Sequence, residues 1–354
     1  RQICLCFKKL GLRCSRSREQ KAIDRYIETE RFFESFVPSE DALNCFSVVS
    51  HLLWGNMFAD FNHHNICPKH GPGAVVEKYT QNSKYTNRRW HLRLEPFFPA
   101  DAFVYGNVDH ALCEKEELIE VPEDQEEPVK VTLVPKTLKT PRIIAIEPCC
   151  MQYAQQGLSA YLVSRLENHW LTRGHVNFRD QSVNQSLAMS ASSDSQFATL
   201  DMSDASDRVS LSLVQRMFSA CPDLLGALEA CRSKAAKLPS GDVIHLKKFA
   251  SMGSAVCFPV EAMVFYTIAI CSLLRKHSLP VTVRNIYTMS RMVYVYGDDI
   301  IVPTDMALPV SDSLTQLGCK VNRDKSFYEG HFRESCGVDA YAGELVTPTY
   351  LRST

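Results

Sequence analysis

The stretch YVYGDDIIV, Tyr294 to Val302, decides the reading of the fold: two adjacent carboxylates, Asp298 and Asp299, sit on a turn between apolar half-strands. Met292, Val293, Tyr294, Val295 and Tyr296 lead into the turn, and Ile300, Ile301 and Val302 lead out of it. Apolar β-formers on both sides of Gly-Asp-Asp predict a β-hairpin, because a tight turn needs a residue free to take positive φ, here Gly297. Gly-Asp is also an ordinary turn former, so this pair alone does not separate chemistry from geometry. A third carboxylate at the end of another apolar strand does.

That strand is Phe197 to Leu200, with Asp201 directly after it. Beyond Met202, Ser203, Asp204, Ala205, Ser206 and Asp207, the residues Val209, Leu211, Leu213, Met217 and Phe218 recur at roughly helical spacing. Ser206 or Asp207 is the expected cap of that helix, and Asp204 and Asp207 have the simpler reading of turn or cap residues. Asp201 is placed where strand gives way to loop, at an edge where side chains of an α+β sheet converge without being buried. Clustered carboxylates repel, and such a cluster is costly unless a cation neutralises it. Hard oxygen donors select Mg²⁺, with Mn²⁺ as a substitute. Two such ions are the usual device for in-line phosphoryl displacement. Asp201, Asp298 and Asp299 are therefore the expected metal-binding and catalytic residues.

Strand–Asp–helix followed by hairpin–Gly-Asp-Asp is the palm arrangement of template-directed polymerases. Further blocks stand around it: KHGPGA (Lys69 to Ala74), VPKTLKTPRIIAIEP (Val134 to Pro148), DQSVNQSLA (Asp180 to Ala188), LDMSDASDRVS (Leu200 to Ser210), FASMGSAVCFPVE (Phe249 to Glu261) and FRESCG (Phe332 to Gly337). With these blocks in this order, the chain resembles the RNA-directed RNA polymerases (replicase β subunits) of the single-stranded RNA bacteriophages, the levivirus group. The resemblance runs from about Lys69 to Arg352 and is vague over residues 1–68. It implies an α+β right-hand polymerase, with an N-terminal region at 1–68, fingers at 69–185, a palm of antiparallel sheet backed by helices at 186–331, and a truncated thumb beginning at 332–354. It also implies RNA-templated RNA synthesis from NTPs and two Mg²⁺ ions. The implied partners are template and product RNA and the host elongation factors Tu and Ts, in the cytoplasm of a bacterial host.

The other blocks carry expectations of their own. Lys136, Lys139 and Arg142 put three cations within seven positions of an extended, proline-bounded segment. By position they match the family's nucleotide-entry motif, where cations hold the triphosphate while pyrophosphate leaves. A solvated basic loop is the plainer reading. Ser251-Met252-Gly253-Ser254 is expected to open a helix running to about Leu274, with Ser251 and Gly253 close to template and ribose. Val260 to Leu274 is the most apolar run in the chain, but it is short for a membrane span and contains Glu261, so a buried core helix is expected. Two departures from the commoner polymerase pattern leave ribose selection open among Ser206, Asp207 and Ser251. No Asn stands near Phe258 to Glu261, and position 206 is Ser where an Asp is usual. Lys320 and Lys325 are equal candidates for a cation near pyrophosphate. FRESCG is read either as a hairpin steadying the primer end or as an ordinary strand with a buried Cys336.

At 354 residues and 45% hydrophobic, the chain can bury a sizeable core in two or three subdomains. Lacking an initial Met and ending soon after FRESCG, it reads as a fragment. A net charge of −1 is neutral for an RNA-binding protein, so phosphate contact is expected from local patches: Lys8 to Arg25, Lys84 to Arg93 and Arg232 to Lys248. The acidic run Glu114 to Glu127 is expected to face solvent or a partner protein. The 14 cysteines include no CxxC pair and read as reduced, buried thiols. His63, His64, Cys67 and His70 are the only grouping that suggests zinc, and their spacing fits none of the common frameworks. Rival readings are a reverse transcriptase, separable by NTP against dNTP incorporation, and a catalytically dead palm that only binds RNA.

Overall fold

The apolar runs beside Asp201 and around Gly297-Asp298-Asp299 form strands, as the sequence predicts. The computed structural model describes residues 2–9, 14–79, 81–105, 118–136 and 140–351, and among these twelve strands make four small sheets. β1 (Arg89–His91) and β2 (Ile119–Val121) pair in parallel. β3 (Val129–Val134) and β4 (Arg142–Ile146) form an antiparallel hairpin, which β6 (Ala235–Lys237) and β7 (Val243–His245) extend through a parallel β3–β6 contact. The central sheet has β9 (Asp299–Pro303) in the middle, flanked antiparallel by β5 (Phe197–Asp201) and β8 (Tyr294–Tyr296). The last sheet is β10 (Phe332–Ser335), β11 (Val338–Tyr341) and β12 (Glu344–Leu345), so FRESCG does form a hairpin strand and turn. Cys336 and Gly337 make that turn with φ of 47° and 78°, the paired positive values that a two-residue hairpin loop favours.

The longer helices are α1 (Arg16–Ser35), α2 (Glu40–Trp54), α3 (Cys149–Asn168), α4 (Ser182–Asp194), α5 (Leu211–Met217), α6 (Pro222–Ala230), α7 (Cys257–Lys276), α8 (Val283–Ser290) and α9 (Ala307–Gln316). α4, α7 and α9 all pack on the central sheet. α7 is long and apolar enough to cross a membrane, but 94% of its apolar window is buried inside the fold. It is the core helix that the sequence predicts. It begins at Cys257, later than expected, because Ser251 to Val256 is taken up by turns and by Gly253, whose φ of +133° no helix accommodates. The cap of α5 also differs from expectation. Ser210 Oγ accepts the Leu213 N–H at 3.2 Å, while Ser206 and Asp207 lie earlier, in a separate 3₁₀ turn.

One large apolar core runs from Ala42 to Cys319 and contains Phe46, Trp54, Phe218, Phe265 and Val302. The region 1–68 is therefore integral to the fold: α2 lies against α7, and Trp54 Nε1 donates to Thr267 Oγ1 at 3.1 Å. A second, small core sits under the β3–β4–β6–β7 sheet, where Tyr26 of α1 meets Val129, Val131, Ala145 and Leu246.

Candidate active site

The central sheet sets the carboxylates side by side. Register pairs Asp201, the last residue of β5, with Asp299, the first of β9, and Asp299 with Tyr296 on the other side. Directly opposed residues of antiparallel strands hold their Cβ atoms about 4.5–5.5 Å apart. Gly297 and Asp298 are then the two-residue turn of the β8–β9 hairpin. Gly297 has a φ of +60°, and a Cβ there would lie 1.8 Å from the Phe258 ring, so both backbone and space demand glycine.

Each carboxylate has its own neighbour. Asp201 Oδ2 accepts from Asn322 Nδ2 at 2.7 Å and lies 3.6 Å from Lys325 Nζ. Asp299 Oδ2 accepts the Cys336 backbone N–H at 3.1 Å. Burial, then the adjacent Asp298, pushes the Asp299 carboxyl up to about 7. Burial likewise raises Asp201, against the pull of Lys325 and Asn322. A further acid, Glu261 on α7, is buried beneath the site and held well above the usual range by desolvation, then by Asp298 and Asp207. Sequence reasoning used Glu261 only to argue against a membrane span. An acid inside the most apolar run was the signal that it has a local role. Among the described residues, no three His, Cys, Asp or Glu side chains gather as a ready-made ligand set. The all-carboxylate oxygen donors at one sheet end, with Asp299 held up by burial and by Asp298 despite the Cys336 N–H, fit a hard divalent cation.

Basic side chains reach the same place. The Lys136 ammonium is lowered by desolvation and by Arg142 and Lys325, and it feels Asp298 and Asp201 in the opposite sense. Arg142 stands at the start of β4, and Lys139 lies outside the described residues. Of the two later lysines, Lys325 is the one at the site. Lys320 is exposed, and its backbone carbonyl accepts the Ser203 N–H at 2.7 Å.

The ribose candidates are drawn into one network. Asp207 Oδ1 lies 2.9 Å from Lys248 Nζ, and Ser251 Oγ lies 2.9 Å from the Tyr26 hydroxyl. Ser206 is buried in the turn beside Asp207. Gly253 serves a backbone approach of another kind: a Cβ there would fall 1.9 Å from the Ala145 carbonyl of β4. Lys248, Glu30 and Tyr26 were not singled out from sequence.

Two of the expected RNA-binding patches turn partly inward, although Lys234, Lys237 and Lys247 of the second stay exposed. Buried Lys84 donates to the carbonyls of Gly71 (2.7 Å) and Gly73, and Trp90 and His91 are buried. Arg232 is spent on the carbonyls of Leu246, Lys248 and Phe249. In the described part of the acidic run Glu120, Glu123 and Asp124 are exposed to solvent, as expected, while several of its acids also pair with basic side chains. Glu126 pairs with Arg93 at 2.7 Å, Glu127 with Arg89 and with His91 at 3.0 Å, and Glu123 with Lys234 at 2.7 Å. Acid and base runs that look like separate surfaces in sequence neutralise each other in the fold. The His63 and His64 rings lie 4.2 Å apart, tilted by 41°, whereas His70 sits between Tyr85 and Tyr153.

The family described as "RNA replicase, beta-chain" matches residues 100–354. The "RNA-directed RNA polymerase subunit beta" of Enterobacteria phage SP is 39% identical over 225 residues, which is 63% of this chain and 36% of the relative. That of Qbeta virus (strain MX1) is 36% identical over 225 residues, 63% of this chain and 35% of the relative. The "RNA-directed RNA polymerase beta chain" of Escherichia phage MS2 is 35% identical over 222 residues, 63% of this chain and 37% of the relative. The fold is a mixed helix-and-sheet one, and the chain belongs to the RNA replicase beta-chain family. The matched part spans little more than a third of those relatives.

Proposed function

We propose that the chain carries the catalytic centre of an RNA-directed RNA polymerase that copies a phage RNA genome. The observation that carries this reading is the cross-strand apposition of Asp201 and Asp299 beside the Asp298 turn, in a chain of the replicase family. On this reading the central sheet with α4, α7 and α9 is the palm, the β3–β4 region belongs to the fingers, and β10–β12 begin the thumb. Asp201 and Asp298, with Asp299 beside them, would hold two Mg²⁺ ions. Such ions, when bound, activate the 3′-hydroxyl and neutralise charge on the phosphates.

The chain's own residues do the rest. The 3′-oxygen forms a bond to the NTP α-phosphorus, the bond from that phosphorus to the bridging oxygen breaks, pyrophosphate leaves, and the hydroxyl proton passes to solvent. Lys136, Lys139 and Arg142 grip the triphosphate, and Lys325 places a further cation at the carboxylate edge. Asp207, Ser206 and Ser251 read the ribose. Host elongation factors Tu and Ts are proposed partners by family resemblance, with no surface assigned to them.

The test is Asp298→Asn in the full replicase, which keeps size and hydrogen bonding but removes charge. Mg²⁺-dependent nucleotide incorporation should fall by several orders of magnitude while RNA binding persists, and Asp201→Asn should match it. An active Asp298→Asn enzyme would refute the assignment. Incorporation of dNTPs in preference to NTPs would instead favour a reverse transcriptase.

A further inference from the structure

The ammonium of Lys248 is fully buried, and three groups surround it. Asp207 Oδ1 lies at 2.9 Å, Glu30 Oε1 at 3.1 Å, and the Tyr26 ring centroid at 3.3 Å. Two of these three come from α1, in the region outside the family match. The same helix touches the ribose candidates elsewhere. The Tyr26 hydroxyl shares a 2.9 Å hydrogen bond with Ser251 Oγ, Arg25 lies 3.6 Å from Asp204, and the Arg208 guanidinium sits 4.8 Å over the Phe32 ring. Glu30 Oε2 also accepts the Lys247 N–H at 2.5 Å, which fixes the segment after β7 that bears Lys248.

Taking an ammonium and two carboxylates out of water is costly, and an apolar pair would join the helix to the loop at least as firmly. What the ions supply is a defined geometry. Lys248 engages one oxygen of Asp207 and so sets the rotation of that carboxylate, whose side chain keeps 18% exposure toward a ligand. Tyr26 sets the direction of the Ser251 hydroxyl in the same way. A 2′-hydroxyl is distinguished from hydrogen only if its partners are already aimed, because a loosely held group recovers its hydrogen bond elsewhere when a dNTP enters.

We infer that Lys248, Glu30 and Tyr26 are positioning residues for ribose recognition, through which the N-terminal helix tunes the choice of NTP over dNTP. The inference rests on the proposed polymerase reading and on Asp207 or Ser251 meeting the ribose.

The experiment compares kcat/KM for an NTP and its dNTP in the full replicase. Tyr26→Phe keeps the ring under the ammonium and removes only the hydroxyl. It should narrow the NTP/dNTP ratio about two- to tenfold, the worth of one hydrogen bond, by slowing NTP use with dNTP use unchanged and the melting temperature held. Lys248→Met combined with Glu30→Leu replaces the ammonium and one carboxylate by an apolar pair of similar volume and leaves Asp207 without the cation that orients it. That variant should fold and show the larger narrowing. Asp207→Ala is the control for the underlying reading. If it narrows the ratio while Tyr26→Phe and the folded double variant keep the parent value, the positioning role is overturned and the ribose assignment stands. If Asp207→Ala and Ser251→Ala both leave the ratio unchanged, the ribose assignment falls and takes the positioning role with it.

Discussion

Glu147 and Lys136 show how far a side chain's surroundings decide what it can do. Glu147 follows β4 and is buried, its carboxylate accepting from Ser233 Oγ at 2.5 Å, and desolvation pushes it up to about 7 from an ordinary 4.5. Between those values the folded chain holds a proton that the unfolded chain has lost. Stability therefore falls as pH rises through that interval, and the penalty is complete above about pH 7. Glu147→Gln removes the titration. It should raise stability at pH 8 by on the order of 3 kcal/mol and change it little at pH 4, as urea midpoints across that range will show. Lys136 reaches the carboxylate end of the sheet, so Lys136→Ala should raise NTP KM, lower kcat, or both, with template affinity little changed. A loss of RNA affinity alone would move the β3–β4 loop to the template channel. The places of Asp201, Asp298 and Asp299 were legible because each adjoins a short apolar run, which puts them at strand ends and a turn before any partner is known. Lys248 was not legible. A lone lysine has no local signature of burial, and Glu30, which shares its charge, stands 217 positions from the neighbouring Lys247 it also binds.

At the scale of elements, the β8–β9 turn depends on a helix that is remote in sequence. Phe258 at the start of α7 fills the space a side chain at 297 would need, and its ring also meets Phe178 and Tyr296 edge-on at 5.7 and 5.6 Å. Gly297→Ala should cost at least about 1–2 kcal/mol in chemical denaturation. It should also depress nucleotide incorporation far more than that loss of folded protein explains, since Asp298 moves with the turn. Full activity in this variant would mean the hairpin tip tolerates displacement. The hairpin was readable from its own residues, whereas the boundaries around it were not. Asp207 looked like a helix cap by spacing, yet Ser210 takes that role and frees Asp207 for Lys248. The start of α7 slips to Cys257 because the approach of Gly253 to Ala145 is a tertiary demand that no window of local sequence reports.

Across the whole molecule, the region whose family resemblance was only vague in sequence holds part of the core. Phe46, Val49, Leu53 and Trp54 of α2 are completely buried against the rest of the fold. Trp54→Ala should therefore cost about 3–5 kcal/mol, and a chain beginning at residue 69 should be insoluble or molten by near-UV circular dichroism. A soluble, cooperatively folding truncation would show that α2 is dispensable. Long-range closure also governs when the centre comes into being. Asp201 receives its Asn322 and Lys325 partners, and Asp299 its Cys336 N–H, from segments made well after β5. On a ribosome adding about 5–20 residues per second, the wait between Asp201 and Cys336 is on the order of ten seconds. Throughout it the carboxylates lack the partners they have in the folded chain. On the proposed reading the centre is therefore late-assembling: it comes together only after the chain through Cys336 has emerged and folded back onto β5.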